Sequence, residues 1–270
     1  MGLLCPSKMG KGTVTVPRIY FPGNIGKNDH CKLGEESLRY VKSVLRMRMG
    51  DHLILFDGTG WEYETVIKHF FADGISVDIL KKDRIPDKVV KITLFQSLPK
   101  ANKMDFIIQK ATELGVDRIV PFQSARSIPQ LTMDKARLKM TRWLTIATEA
   151  AGKCGRSDIP EIKGVISFEE MLIDGDREEL KIIFWEEESE RGIKQVLRNE
   201  KYEGVKDISV IIGPEGGFSK EEVDRAVEKG FLSVSLGKNI LKVETAALTI
   251  VSIIQYEKGI FGGERTGEVN

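Results

Sequence analysis

Apolar and polar positions alternate with period two in three stretches of the first third, His52–Phe56, Trp61–Ile67 and Gly74–Leu80. Asp57-Gly58-Thr59-Gly60 and Phe71-Ala72-Asp73-Gly74 separate them. Short alternating runs punctuated by Gly and Asp predict the hairpins of a small β-barrel. One helix is expected to interrupt it, Glu35–Met47, because Leu38, Val41, Val44 and Leu45 fall on one helical face. Beyond the polar, proline-containing stretch Asp83-Arg84-Ile85-Pro86-Asp87-Lys88 the pattern changes.

From Val89 onward, short apolar runs alternate with helical periodicity. Strands are expected at Ile92–Gln96, Arg118–Phe122, Gly164–Ile166, Lys181–Trp185, Ile208–Ile212 and Leu232–Leu236. Helices are expected from an N-cap at Asn102 to Gly115, and from about Asp134 to Ala151. Two more begin at the capping boxes Ser167/Glu170 and Ser219/Glu222, the second stopping at Gly230, and a last apolar helix covers Glu244–Glu257. This order predicts an α/β fold whose parallel sheet is covered on both faces. The expected division is a flexible extension over residues 1–16, a small β domain over 17–86 and an α/β domain over 87–270.

Composition narrows the class. With 41% hydrophobic and 30% charged residues, the 270-residue chain is globular and can bury a core without disulfide or metal staples. No run of about 18 apolar residues exists, so no membrane span is expected. Cys5, Cys31 and Cys154 are scattered, and His30, His52 and His69 form no pair at helical spacing. Neither a disulfide framework nor a metal site is therefore expected, and a reducing cytoplasmic location fits.

Charge is unevenly spread, with a net of +3 over residues 1–86, +4 over 87–170 and −6 over 171–270. A basic front suits a polyanion. Arg39, Lys42 and Arg46 lie on the polar face of the helix at 35–47, and Arg48 follows. They are candidates for RNA phosphate contact, although a solvated helix face would read the same.

Two loops carry the candidate chemistry, since ligands of an open α/β sheet gather outside the carboxyl ends of its strands. The first is Ile212-Gly213-Pro214-Glu215-Gly216-Gly217-Phe218-Ser219. Its glycines allow close backbone approach, Pro214 stiffens the turn, and Glu215 places a carboxylate at the strand end. Its G-x-x-G-G spacing matches neither the dinucleotide fingerprint nor the phosphate-binding P-loop. The second runs from Leu236-Gly237 through Ile240 and Leu241 to Thr245 and Leu248. Open backbone groups there could bond an adenine edge while the apolar pair sandwiches its ring. Strand-to-helix connectors often look alike, so the loops by themselves indicate only a ligand site.

Together, IIGPEGGFS and LGKNILKVETAAL resemble the ribosomal small-subunit (16S) RNA uridine-N3 methyltransferases of the SPOUT superfamily. The segments KANKMDFIIQKATELGV and RWLTIATEAAGKCGRSDIP, and Val44-Leu45-Arg46 with Gly50-Asp51 and Phe56-Asp57-Gly58, extend the likeness over about residues 17–258. The resemblance implies a trefoil-knotted domain preceded by a PUA-like RNA-binding barrel, working as a homodimer. It implies S-adenosylmethionine as methyl donor, leaving S-adenosylhomocysteine. Small-subunit ribosomal RNA, free or in an assembled 30S subunit, is the implied partner. It also implies cofactor contacts from Trp185, Glu186, Ile212, Gly213, Pro214, Glu215, Gly216, Gly217, Leu236, Gly237, Ile240, Leu241, Thr245 and Leu248. One departure stands out: where the family carries Arg-Ile-Leu-Arg, this chain has Asn239-Ile240-Leu241-Lys242.

Methylating N3 of uridine requires loss of the N3 proton and alignment of nucleophile, methyl and sulfur. Lys100, Lys103 and Arg156 are the expected cations for the uridinate and its phosphate. Glu215, or alternatively Glu113, is expected to position cofactor or base. The competing reading is an RNA-binding assembly factor that has lost catalysis, which Asn239 and Lys242 would suit.

Overall fold

The computed structural model describes residues 16–23, 25, 29–86, 88–128 and 132–258. The expected flexible extension lies, except for Val16, outside the described residues, as does Asp87 of the expected junction. The chain forms two compact units, Met1–Asp87 with Thr148–Ile159, and Lys88–Ala147 with Pro160–Asn270.

The N-terminal unit is built on five strands, β1 (Arg18–Tyr20), β2 (His30–Leu33), β3 (His52–Phe56), β4 (Trp61–Phe71) and β5 (Gly74–Arg84). Their order is β1-β3-β4-β5-β2, antiparallel except for the parallel β1–β3 pair. β4 and β5 are longer than expected and join at Ala72-Asp73, with register shifts after Glu64 and Ile67 that add local twist. Leu33, Val41, Leu53, Leu55, Ile67, Ile75 and Val77 form the core. Residues 148–159 belong here through hydrogen bonds as well. Ser157 Oγ accepts from Arg18 at 2.6 Å and donates to Glu62 at 2.7 Å, and the Gly60 amide donates to the Ser157 carbonyl at 3.1 Å.

The helix expected over 35–47 is shorter and changes pitch. α1 covers Glu35–Arg39, a π-helical turn follows over Tyr40–Val44, and Arg46 adopts a left-handed φ of 55°. Widening the turn rotates its residues. Val41 stays buried and Leu38 and Leu45 pack on the core, but Val44 is turned out, 64% exposed.

The C-terminal unit carries β6 (Lys91–Ser97), α2 (Lys103–Glu113), β7 (Arg118–Gln123), α3 (Met133–Cys154), β8 (Glu161–Ile162), β9 (Ile166–Ser167), α4 (Phe168–Asp174) and β10 (Leu180–Phe184). Then come α5 (Ile193–Leu197), β11 (Asp207–Ile212), α6 (Lys220–Glu228), β12 (Leu232–Val234) and α7 (Val243–Glu257). The last turns of α3 are those grouped with the first unit. All strand pairs are parallel, in the order β12-β10-β11-β6-β7-β8, with β9 also on β7. Consecutive residues of β6 and β11 are buried, as strands covered on both faces require.

Two strands differ from expectation. The run at Gly164–Ile166 is strand only at Ile166–Ser167, where Ser167 both ends the strand and caps α4, and Glu161–Ile162 supplies a separate pairing. β12 stops at Val234 because Ser235 turns to another partner. Its amide donates to the Arg191 carbonyl at 2.9 Å and its carbonyl accepts from Ile193 at 3.2 Å. The chain thereby passes the loop that follows β10 before α7 packs back on α2, β6 and β11. Such a crossing belongs to the knotted class the resemblance implied.

Both expected capping boxes form. Glu222 does double duty: one carboxylate oxygen accepts from the Ser219 amide at 3.0 Å and the other from the Ala125 amide at 2.8 Å. Beneath the sheet's carboxyl edge Phe122 stacks on Phe218 at 6.4 Å, with Phe168 tilted against both. Phe122→Ala should therefore cost about 3–5 kcal/mol and lower the melting temperature of the C-terminal unit, read by calorimetric unfolding.

Candidate functional site

Three strand ends meet at one edge. β11 ends at Ile212 and delivers the first loop. Gly217, at φ +66°, closes its turn by donating its amide hydrogen to the Pro214 carbonyl at 3.0 Å. A Cβ on Gly217 would run into the Glu186 carboxylate, and one on Gly213 would lie 3.0 Å from the Phe218 ring. At both positions glycine lets the backbone sit where a side chain would otherwise stand.

β12 delivers the second loop. Gly237 takes φ +119°, and its amide donates to Ser235 Oγ at 3.2 Å. The amides of Leu236, Lys238, Asn239, Ile240 and Leu241 donate to no protein acceptor among the described residues. Ile240 is 87% exposed. β10 supplies the third wall, Phe184-Trp185-Glu186, and the buried Trp185 Nε1 has no partner among the described residues. With Lys103, Val243 and Ala246 these segments enclose a cleft of about 460 Å³.

Most of the expected cofactor residues line this cleft: Trp185, Glu186, Ile212, Gly213, Pro214, Glu215, Gly217, Leu236, Gly237, Ile240 and Leu241. Three do not. Gly216 turns its carbonyl to Arg126, which donates to it at 3.0 Å. Thr245 and Leu248 fall off the lining because α7 presents Val243 and Ala246, one turn apart, instead. Phe184, Phe218, Ser235, Lys238, Asn239 and Lys242 also line it. Five of these six, all but Phe184, lie inside or beside the two quoted motifs, the only signal the sequence offered for them.

The expected catalytic groups divide. The Glu215 carboxylate accepts from the Lys100 amide at 3.1 Å and from Lys103 Nζ at 2.9 Å. Lys103 Nζ also lies 3.3 Å from Glu244 Oε2. Burial alone would raise the Glu215 carboxyl, but the Lys103 bond and the backbone amides outweigh it and hold the group below the ordinary carboxylate range. Glu113 instead pairs with Lys110 at 2.8 Å in the last turn of α2 and does not line the cleft. Arg156 belongs to the N-terminal unit, where it holds Asp158 at 2.6 Å.

The expected RNA contacts on that unit are all exposed. Arg39 approaches Glu35 at 3.9 Å, and Lys42 sits 5.8 Å above the Phe70 ring. Arg46 and Arg48 have no ion-pair partner among the described residues, and in the other unit neither does the Lys100 ammonium. Among the described residues no three His, Cys, Asp or Glu side chains are grouped as a metal would need, and no helix is long and apolar enough to cross a membrane.

Comparison with known proteins fits this geometry. The RNA methyltransferase domain family matches residues 86–255, and the RNA methyltransferase PUA domain matches residues 33–75. The Ribosomal RNA small subunit methyltransferase E of Bacillus subtilis is 32% identical over 233 residues, 85% of this chain and 91% of that protein. A putative methyltransferase from Legionella pneumophila, solved with bound cofactor SAM, superposes with a TM-score of 0.80 at 33% identity, covering 90% of this chain and 98% of that one. A Ribosomal RNA small subunit methyltransferase E from Neisseria gonorrhoeae, bound to S-adenosyl methionine, gives 0.80 at 30% identity, covering 91% and 99%.

Strand ends, crossing chain and cleft are those of a SPOUT-class α/β domain, here preceded by a PUA-like domain. The chain belongs to the family of ribosomal RNA small subunit methyltransferase E proteins.

Two tests follow from the cleft. Gly217→Ala forces a left-handed φ on an L-residue, costing roughly 1–2 kcal/mol, and drives its methyl at Glu186. A lower melting temperature by thermal shift is expected. Because the Glu215 carboxyl is held low in the folded state, its contribution is complete above the ordinary carboxylate range and is lost as pH falls through its depressed value. Glu215→Gln should remove that acid-side step from the stability profile, and an unchanged profile would refute the assignment.

Proposed function

We propose that the protein transfers a methyl group from S-adenosylmethionine to N3 of a uridine in small-subunit ribosomal RNA. The supporting observation is the cleft itself, two glycine loops and a third strand end joined around open backbone donors. Its fit to the cofactor rests on three features. The unbonded amides of Leu236 and Lys238–Leu241 can serve an adenine edge. Exposed Ile240 offers an apolar face that a ring would cover. Gly213 and Gly217 leave room that any Cβ would fill. When bound, S-adenosylmethionine supplies a methyl on a sulfonium centre.

The chain's own residues supply alignment and charge. N3 lies on the pairing edge of the base, so the uridine must be unpaired or turned out of its helix. Its N3 proton must leave before the nitrogen lone pair can attack, and nearby cations favour the resulting anion. Lys100 is the best-placed candidate. Its amide holds Glu215 at the cleft, while its ammonium has no protein partner among the described residues. Lys238 and Lys242, which line the cleft, are likewise free of ion pairs among the described residues. Lys242 keeps the charge of one of the two arginines that the resemblance implies at 239 and 242, and Asn239 loses the other. In the N-terminal unit, Lys42, Arg46 and Arg48 can neutralise RNA phosphates.

The deciding experiment is methyl transfer from labelled cofactor to undermethylated small subunits, with mapping of the modified nucleotide. Label on uridine N3 is expected. Cofactor and RNA binding without transfer would establish the RNA-binding factor instead. Lys100→Ala should slow transfer by about tenfold, corresponding to roughly 1.4 kcal/mol of transition-state stabilisation, with cofactor affinity retained.

A further inference from the structure

Lys103, the second cation expected to act on the substrate, does not stand free. It opens α2, and its ammonium reaches Glu215 Oε1 at 2.9 Å and Glu244 Oε2 at 3.3 Å. These carboxylates come from different places. Glu215 sits in the first loop, and Glu244 stands in the first turn of α7, two residues past Lys242 at the end of the second loop. The three side chains are well shielded, at 32%, 22% and 22% exposure.

The hydrogen bond to Glu215 raises the Lys103 ammonium above its ordinary value, against a smaller lowering from burial and with help from Glu244. Glu215 is shifted the opposite way, so both partners are fully charged at neutral pH. Glu215 is pinned again by the Lys100 amide, three residues before Lys103. An ammonium engaged by two carboxylates is spoken for as a charge. Neutralising a uridinate would require it to leave one of them.

We propose that Lys103 is a positioning residue: it ties the first loop to the start of α7 and so sets the opening between the two loops for the cofactor. The proposal rests on the cleft being the S-adenosylmethionine site. Each carboxylate keeps one other support: the Lys100 amide holds Glu215, and the helix dipole favours Glu244 in the first turn of α7. Loss of Lys103 should therefore break the link between the two rather than free the first loop, and leave the second loop without its anchor at the head of α7.

Lys103→Met keeps the length and apolar stem of the side chain and removes the charge. Calorimetric titration with S-adenosylmethionine should show affinity falling by about tenfold, the size typical of coupled charged groups. The KM for cofactor should rise by more than kcat falls, and Lys103→Arg, which can serve both carboxylates, should restore most of the loss. Glu244→Gln should weaken binding in the same direction, and adding it to Lys103→Met should cost little more. In cofactor-free protein, amide exchange at Ala246 and Ala247 should be faster in Lys103→Met than in the parent chain. This measurement stands even if the parent binds no cofactor, an outcome that would sink the methyltransferase reading and not the tie. The tie is overturned if kcat falls while cofactor affinity and exchange stay at parent values, or if the two substitutions are independent.

Discussion

Parallel pairing of β10 with both β11 and β12 forces three strand ends, at Phe184, Ile212 and Val234, to open on one edge of the sheet. Parallel strands cannot be joined by tight turns, so each connection must travel through a helix and return. Backbone groups that leave the ladder at that edge must find partners elsewhere or stay available to a ligand. In the first loop Gly217 bonds back to Pro214, and Gly216 is held by Arg126. In the second, the amides of Leu236 and Lys238–Lys242 find no acceptor among the described residues. A cleft with one stiff wall and one donor-rich wall follows from that asymmetry.

The stiff wall is anchored from below. Phe218, next to the first loop, stacks on Phe122 and meets Phe168, so the loop's end cannot shift without disturbing the aromatic core. Glu222 joins the cap of α6 to the Ala125 amide after β7, fixing the helix that carries the loop away. Glycine is required where these elements come closest, since side chains at 213 or 217 would displace Phe218 or Glu186. Packing and backbone conformation thus agree in placing this loop before any ligand arrives.

Charge is sorted around the cleft in two groups. Lys103, Glu215 and Glu244 form one charge group and belong to the frame. Lys100, Lys238 and Lys242 keep their ammonium groups toward solvent and remain available to an anionic partner. Where the resemblance implies two arginines, Asn239 carries no charge and Lys242 a point charge rather than a planar, two-pronged donor.

Local chemistry carried much of this in the sequence. Capping boxes at Ser167 and Ser219, left-handed glycines closing helices at Gly115 and Gly230, and unbroken apolar runs in buried strands depend only on near neighbours. The two loop motifs were legible for the same reason, since each is contiguous. What the sequence hid depends on partners far along the chain. The π-helical turn that exposes Val44 follows from how Val41 and Leu45 seat on the β domain's core. Gly216 looked like its neighbours until Arg126, 90 residues earlier, took its carbonyl. Lys103 and Glu215 stand 112 residues apart, and no periodicity marks such a pair. The sequence by itself determined the elements, their α/β order and the ligand loops, because those are set by short-range sterics and hydrophobic spacing. Tertiary structure alone decided which charges became frame and which stayed free, because an ion pair forms only where the fold has already brought two distant side chains within reach.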